Sequence, residues 1–262
     1  AKFMTGDSQG AIEALEEAYK TTEGSDKNDI AYMLGHLYYA DGQNEKAFTF
    51  FDQIKENEKY ARVVKPYYVQ LYFNDKDYDK AIVEGNTLLN ENISADYKAE
   101  VHKMIGESYF MKGDYSSAYP HLKIYLESKG TPSESDLYEM GFVSAHLKKY
   151  DEAVSYYNQL INSNSATSQN AYYQLGNAYF EVGKKQEALS AFRSAYQMTY
   201  DPKVQQLAHL QYAKLSYELG NPFESASTVI QSYISNYPNS PETKEMKSLL
   251  VKSYLYSGDY KG

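Results

Sequence analysis

The sequence has no cysteine and no tryptophan among its 262 residues. Without cysteine there can be no disulfide framework, no thiol nucleophile and no thiolate metal site. No apolar run approaches the roughly 20 residues that a helix needs to span a bilayer. The Lys and Arg residues form no block, and the formal net charge of −9 would repel a phosphate backbone. These absences argue against cysteine chemistry and against nucleic acid as a partner.

Aromatic residues are abundant, with 30 Tyr and 10 Phe, and hydrophobic residues make up 42% of the chain. This composition is typical of folded proteins rather than disordered ones. A chain of this length exceeds one ordinary hydrophobic core, so either two domains or a repeat array is expected.

One pattern of small residue, aromatic, turn and alanine recurs along the chain. It is clearest at Gly176, Tyr179, Gly183 and Ala188. The marker alanines are Ala11, Ala47, Ala81, Ala118, Ala153, Ala188 and Ala226. Their spacing of 34 to 38 residues indicates stacked supersecondary units.

Each unit is predicted to contain two helices joined by a short turn. The second helix of one unit carries Ala188, Phe192 and Ala195 at helical spacing. A small residue where two helices cross lets their backbones approach, and the large aromatic one turn further on is expected to fill the space between neighbouring hairpins. Val69 and Lys214 replace the glycine in two weaker copies, so those units are expected to pack less closely or with shifted helices.

Helix starts are predicted from capping residues and prolines. Thr131-Pro132-Ser133-Glu134 fits a capping box with proline at the first helical position. Asp201-Pro202 and Ser240-Pro241 combine a capping side chain with a following proline. Pro120 is expected to remove one backbone hydrogen bond within its helix and to kink it.

The pattern resembles the tetratricopeptide repeat family over nearly the whole chain, although the tryptophan found early in that family's repeat is absent. The family positions are met by Gly176, Tyr179, Ala188 and Phe192, and in another repeat by Gly35 and its equivalents. The resemblance implies an all-α fold, a right-handed superhelical solenoid of tandem helix-turn-helix units. We expect a single solenoid over 1–262, a fragment of a longer protein, with about six complete repeats and a half-repeat at each end. The expected repeats are approximately 1–27 (partial), 28–61, 62–98, 99–133, 134–168, 169–206, 207–243 and 244–262 (partial).

Two short motifs suggest chemistry but have simpler interpretations. Residues 6–10 match the G-x-S-x-G nucleophile elbow, which needs a preceding strand; here the motif aligns with inter-helix turns. Residues 75–79 resemble the opening of a calcium loop, but Asn86 stands where the loop needs a glutamate. Both are interpreted as charged turns.

Histidines and tyrosines also have structural interpretations. The five histidines, His36, His102, His121, His146 and His209, are interpreted as surface or groove residues of different repeats. The six tyrosines at the packing position, Tyr38, Tyr72, Tyr109, Tyr179, Tyr217 and Tyr254, are interpreted as core rather than as a sugar-stacking platform. No metal, cofactor or catalytic site is predicted.

The resemblance implies that the first helices line a concave partner-binding surface. Its candidate residues are Tyr32, His36, Tyr39, Gln70, Phe73, Lys103, Glu107, Phe110, Tyr138, Phe142, Tyr173, Asn177 and Phe180. Tyr173 and Glu107 interrupt the Lys and Asn pattern with which some family members grip a terminal carboxylate, so that clamp is not expected. The alternative is that some of these aromatics only fill space between adjacent helices.

The function expected from this surface is non-catalytic protein–protein interaction, with a peptide or protein as partner. An alternative is a structural or assembly component of a bacterial cell envelope, because residues 232–241 resemble repeat joints of bacterial envelope proteins, including outer-membrane assembly lipoproteins. The Tyr, Asn and Lys content is similar to that of Bacteroidetes-type repeat proteins. This resemblance favours the periplasm or envelope over the cytoplasm. A glycan-binding module is a further alternative.

Overall fold

The computed structural model describes residues 8–257, and within them the chain is helical with no strand. The helices are α1 (Ser8–Thr21), α2 (Ser25–Ala40), α3 (Asn44–Asp52), α4 (Ala61–Asn74), α5 (Tyr78–Leu89), α6 (Ala95–Met111), α7 (Tyr115–Ser128), α8 (Glu134–His146), α9 (Tyr150–Tyr157), α10 (Ala166–Glu181), α11 (Lys185–Gln197), α12 (Pro202–Leu219), α13 (Ala226–Asn236) and α14 (Thr243–Ser257). The predicted all-α class is confirmed.

The chain forms two compact units, Ala1–Gly130 and Thr131–Gly262. In the first unit each helix from α1 to α7 packs against the next, and α4 also contacts α6. In the second unit the helices from α8 to α14 pack in the same sequential way, and α10 contacts both α8 and α12. Each unit is therefore a series of neighbouring antiparallel hairpins.

In five hairpins the two helices are joined by three residues, and the middle one of the three has a positive φ. These middle residues are Gly42, Lys76, Gly113, Lys148 and Gly183. In the first of these turns Gly42 N–H donates to Tyr39 O at 3.1 Å, and Gln43 N–H donates to Tyr38 O at 2.9 Å. These are the two bonds of the Schellman motif, which satisfies the last carbonyls of a helix. The repeated turn starts the second helix in the same register each time.

A glycine on the first helix faces a large side chain sixteen positions later on the second helix. A Cβ atom on Gly176 would lie 2.6 Å from the Phe192 ring carbon Cε1, closer than real Cβ atoms approach. The same relation joins Gly35 to Phe51, Gly106 to Leu122, and Gly141 to Tyr157, at 2.6, 2.8 and 2.8 Å. The predicted close approach of the helix backbones at these glycines is confirmed.

In the hairpin of α4 and α5 the large residue is on the first helix and the glycine is on the second. Val69 on α4 is fully buried, and sixteen residues later the second helix carries Gly85. A Cβ atom on Gly85 would meet Ile105 of α6 at 2.7 Å. The valine is therefore accompanied by a small residue at the matching position, a pairing that was not predicted from the sequence.

The assignment of Lys214 to the glycine position is wrong. Lys214 is half-exposed and pairs with Glu245 at 2.9 Å, whereas its neighbour Ala213 is fully buried. The connection between α12 and α13 runs over residues 220–225, longer than the other hairpin turns. This connection has six residues where the other turns have three, so counting back from Ala226 does not reach the small buried residue, which is Ala213.

The predicted capping residues are only partly correct. Asp201 caps α12, accepting bonds from the N–H groups of Lys203 at 2.9 Å and Val204 at 3.2 Å. The cap of α8 is Ser133 rather than Thr131, and its capping box is completed by Asp136. Ser240 does not cap α14, because its hydroxyl lies 2.9 Å from the Tyr233 hydroxyl and the helix begins only at Thr243. In both failures the side chain adjoining the proline was wrongly taken for the cap.

Prolines lie inside two helices. Pro120 lies within α7, which continues to Ser128, and Pro66 lies within α4, which continues to Asn74. Proline lacks an N–H group, so each helix loses one internal hydrogen bond there. Packing by the neighbouring helices sustains both beyond the proline.

Gly176→Ala is predicted to lower the free energy of unfolding by about 1–3 kcal/mol, because overpacking against the buried Phe192 outweighs the roughly 1 kcal/mol helix-propensity gain of alanine. Gly130→Ala is a control for the added methyl group outside a helix, since Gly130 lies between α7 and α8 and nothing lies within 4 Å of a Cβ atom there. Urea unfolding of both variants and the wild type measures the difference. Equal stability of the two variants would contradict the close-contact interpretation.

Candidate functional site

The candidate residues lie on the first helices of the hairpins, as expected from their spacing. In the first unit, α2 carries Tyr32, His36 and Tyr39, α4 carries Gln70 and Phe73, and α6 carries Lys103, Glu107 and Phe110. In the second unit, α8 carries Tyr138 and Phe142, and α10 carries Tyr173, Asn177 and Phe180. Whether these residues bind a partner stays a prediction.

A cavity of about 500 Å³ lies between α2, α4 and α6 in the first unit. It is lined by Tyr39, Pro66, Tyr67, Gln70, Tyr97, Glu100, Lys103, Met104 and Glu107. Four of these residues were candidates from the sequence, namely Tyr39, Gln70, Lys103 and Glu107. The other five were missed. We call this feature the Tyr97 cavity.

Four of the missed residues precede the predicted candidates on the same helix, and Met104 lies between Lys103 and Glu107. Tyr97, Glu100, Met104 and Glu107 follow one another at the three- and four-residue spacing that places side chains on one helix face. The predicted stripes began near the glycine and therefore stopped short. Extending the α6 stripe towards Tyr97 would have found the three missed residues on that helix.

Tyrosine rings form much of the cavity wall. The rings of Tyr39 and Tyr67 meet edge to face with centroids 5.0 Å apart, and Tyr67 stacks on Phe51 at 4.7 Å. Burial raises the pKa of Tyr97 to about 12, and burial with a hydrogen bond to Tyr32 raises the pKa of Tyr67 as well. These phenols are therefore neutral at physiological pH.

The hydroxyl oxygen of Tyr97 is buried and has no hydrogen-bond partner among the described residues. Burying an unpaired polar atom costs about 1–3 kcal/mol. Because this oxygen is out of contact with solvent, a molecule in the cavity would not reach it in this structure.

The charged side chains of the Tyr97 cavity are paired within the first unit. Lys103 lies 3.5 Å from Glu107, and its ammonium group lies 4.9 Å from the centre of the Tyr125 ring. Glu100 lies 3.4 Å from Lys129. The lining itself carries two carboxylates and one ammonium group, a formal charge of −1.

Four candidates of the first unit lie outside the lining of the Tyr97 cavity. Tyr32 stacks on Tyr60 at 5.4 Å, which is a packing contact. Phe73 and Phe110 each lie 5.7 Å from the tyrosine that begins the next helix, Tyr78 and Tyr115. His36 is exposed and its ring lies 6.0 Å from that of Tyr67.

The second unit does not gather its candidates into one site. Tyr138 lines a separate cavity of about 420 Å³ with Ser135, Glu139, Ala166, Thr167 and Asn170. Tyr173 packs on Phe192 at 5.8 Å, and Phe142 lies 4.1 Å from His146. Asn177 donates to Gln174 at 3.3 Å, whereas Phe180 is 45% exposed.

The tyrosines at the packing position are not all core residues. Tyr38 is buried and stacks on Phe50 at 5.7 Å. Tyr72, Tyr109, Tyr179, Tyr217 and Tyr254 are half-buried. Tyr72 meets Phe48 edge to face at 5.3 Å. The core interpretation is confirmed for Tyr38, while the others lie at the edge of the packed layer.

Two predictions about the histidines are wrong. His102 and His121 belong to one hairpin, and their Nδ1 atoms lie 2.9 Å apart. His209 is fully buried and its ring stacks on Tyr196 at 3.8 Å. Among residues 8–257, no three His, Asp or Glu side chains converge in a way that could hold a metal.

The predictions for the two short motifs, residues 6–10 and 75–79, have different outcomes. Asp77 caps α5, accepting from Lys80 N–H at 3.3 Å, so residues 75–77 form an inter-helix turn as predicted. Ser8, Gln9 and Gly10 form the start of α1, whereas Gly6 and Asp7 lie outside the described residues. The predicted half-repeats include Ala1 and the residues after Ser257, which also lie outside the described residues.

A model of the tetratricopeptide repeat family matches residues 3–61, 147–202 and 173–241, more than half of the chain. The chain belongs to the tetratricopeptide repeat (TPR) family. A TPR repeat-containing protein of Methanocaldococcus jannaschii is 26% identical over 167 residues, which cover 61% of this chain and 29% of that protein. The chain thus spans less than a third of this relative.

Solved TPR structures share the fold. The C-terminal part of a TPR repeat-containing protein from Cytophaga hutchinsonii has a TM-score of 0.69 at 15% identity, covering 94% of this chain and 96% of that chain. YrrB, a TPR protein described as having an unusual peptide-binding site, has a TM-score of 0.60 at 20% identity, covering 76% and 97%. The TPR fold predicted from the sequence is confirmed.

Acid is predicted to destabilise the protein through His209. Burial lowers the pKa of His209 to about 4, and burial also lowers the pKa values of His102 and His121. The unfolded chain then binds more protons than the folded one, so the free energy of unfolding falls as pH drops below about 6.5, by at most about 1.4 kcal/mol per pH unit for one group.

Urea unfolding at pH 8, 6 and 5 measures this slope in the wild type and in His209→Phe. Phenylalanine keeps a ring on Tyr196 but does not titrate. The variant should lose about 2 kcal/mol less than the wild type between pH 8 and 5. The same slope in both proteins would contradict the assignment of the effect to His209.

Proposed function

We propose that this TPR chain is a non-catalytic scaffold that binds a peptide segment of a partner protein in the Tyr97 cavity. The carrying observation is the cavity itself, about 500 Å³ between three first helices and lined by aromatic and polar side chains. Ligand sites typically have 300–1,000 Å³ and combine apolar walls with a few polar groups. This volume suits one or two side chains of a bound segment.

The lining supplies both kinds of contact that a peptide needs. Tyr39, Tyr67 and Tyr97 offer rigid rings, which give large contact areas at a low cost in conformational entropy. Gln70 Nε2 donates to Asn74 Oδ1 at 2.9 Å. A second N–H and the amide oxygen of Gln70 can still complement a peptide backbone. An extended or helical segment lying across α4 could therefore insert a side chain while its backbone contacts Gln70.

The lining also supports a non-catalytic role. It contains no Ser, Cys or His, the residues that most often serve as nucleophile or general base. Its carboxylates are each held near a lysine, at 3.5 Å for Glu107 and 3.4 Å for Glu100. The arrangement suits recognition of a ligand rather than proton transfer to it. Nucleic acid is excluded from the proposal because the chain is acidic overall.

A role in assembly of a bacterial envelope complex is a second proposal, supported by the resemblance of residues 232–241 to envelope repeat proteins. Among residues 8–257, no helix has both the length and the apolar character that a bilayer span requires. Fractionation of the native cells tests this location. Recovery with the cytoplasmic fraction would contradict it. A glycan-binding role has no cavity residue in its favour beyond the tyrosines.

Gln70→Arg is predicted to abolish peptide binding, because the longer side chain fills the Tyr97 cavity. A displayed library of random twelve-residue peptides is selected on the wild-type protein, and enriched peptides are then titrated by fluorescence anisotropy. We expect binding to fall at least tenfold in Gln70→Arg while its melting temperature stays within a few degrees of the wild type.

Gln9→Arg is the matched control. Gln9 is exposed on α1 of the same unit and bonds Glu13 at 3.2 Å, so this variant adds the same side chain and charge outside the cavity. It should bind like the wild type. Enriched peptides that bind all three proteins equally would refute the proposed site.

A further inference from the structure

We propose that the partner segment places a lysine or arginine side chain in the Tyr97 cavity, an inference that rests on the proposed peptide-binding function. Two features of the cavity favour a cation over an anion or an aliphatic side chain. They are its neutral tyrosine rings and its excess of carboxylates.

Three tyrosines, Tyr39, Tyr67 and Tyr97, line the cavity, and the face of a tyrosine ring is electron-rich. A cation within about 6 Å of such a face is attracted by the ring quadrupole, and more strongly where water is excluded. The chain uses the same contact internally. Lys103 and Lys129 lie 4.9 and 4.8 Å from the centre of the Tyr125 ring, and Lys27 lies 4.6 Å from that of Tyr19.

Two carboxylates, Glu100 and Glu107, line the cavity against one ammonium group, that of Lys103. Lys103 is already held by Glu107 and by the Tyr125 ring. The partner of Glu100 is Lys129, and these two side chains are 51% and 41% exposed. Water screens such a pair, so it contributes little and exchanges readily. An incoming cation could therefore replace Lys129 beside Glu100.

The alternatives to a cation gain less from this lining. An aliphatic side chain would pack against the rings but gain nothing from the carboxylates. A carboxylate would bring a like charge next to Glu100 and Glu107. A cation gains from both the rings and the carboxylates.

The test begins with the random twelve-residue display library selected on the wild-type protein, with Gln70→Arg as counter-selection so that only cavity-dependent peptides remain. We expect a Lys or Arg at one fixed position of these peptides. Changing that residue to Met in the most enriched synthetic peptide should weaken binding about tenfold or more by fluorescence anisotropy.

The double variant Glu100→Gln/Glu107→Gln should weaken the basic peptide about tenfold and leave its Met derivative unchanged. Glu56→Gln/Glu127→Gln is the matched control, since it removes the same charge from exposed positions of the same unit. Both variants should keep the wild-type melting temperature within a few degrees.

The outcomes separate this inference from the function on which it rests. Cavity-dependent peptides whose fixed residue is acidic or neutral would overturn the cation and leave peptide binding intact. An equal loss of affinity in both Glu→Gln pairs would reduce the effect to long-range charge and also overturn it. A selection that yields no cavity-dependent peptide would remove both the inference and the proposed function.

Discussion

The contact between a glycine on one helix and a large side chain sixteen positions later determines how each hairpin closes. At Gly176 a Cβ atom would lie 2.6 Å from Phe192, so the two helix backbones are as close as the ring allows. The three-residue turn places the second helix in register for this contact, and the Schellman bonds fix the turn. The aromatic side chain is buried, which contributes about 1.5–3 kcal/mol. A single hairpin cannot bury enough surface to fold alone, so neighbouring hairpins must stack.

The Tyr97 cavity is a consequence of this stacking. Its lining comes from α2, α4 and α6, the first helices of successive hairpins in one unit, and α4 and α6 are in contact. The middle helix, α4, departs from the common pattern, since it has Val69 at the glycine position and Pro66 within its length. The proposed recognition therefore depends on side chains that three helices hold in place.

Local spacing predicted much of the fold because the glycine contact leaves a fixed signature along the chain. Gly35, Gly106 and Gly176 could be recognised with their partners from the sequence alone. Lys214 was assigned to the glycine position because the repeat spacing was counted back from Ala226. The longer turn after α12 changes that spacing, and a periodic pattern does not show where extra residues are inserted. The cavity was half predicted. Gln70 and Lys103 followed from helix faces, whereas the burial of Tyr97 and the pairing of His102 with His121 depend on neighbouring helices.

The most direct test of the central contact is a double-mutant cycle between Gly176→Ala and Phe192→Leu. Leucine is smaller than phenylalanine and leaves room for the added methyl group. If the two residues limit each other, the double variant should be more stable than the sum of the single effects by at least about 1 kcal/mol in urea unfolding. Strict additivity would contradict the account, because it would mean that glycine is not needed for the approach of the two helices.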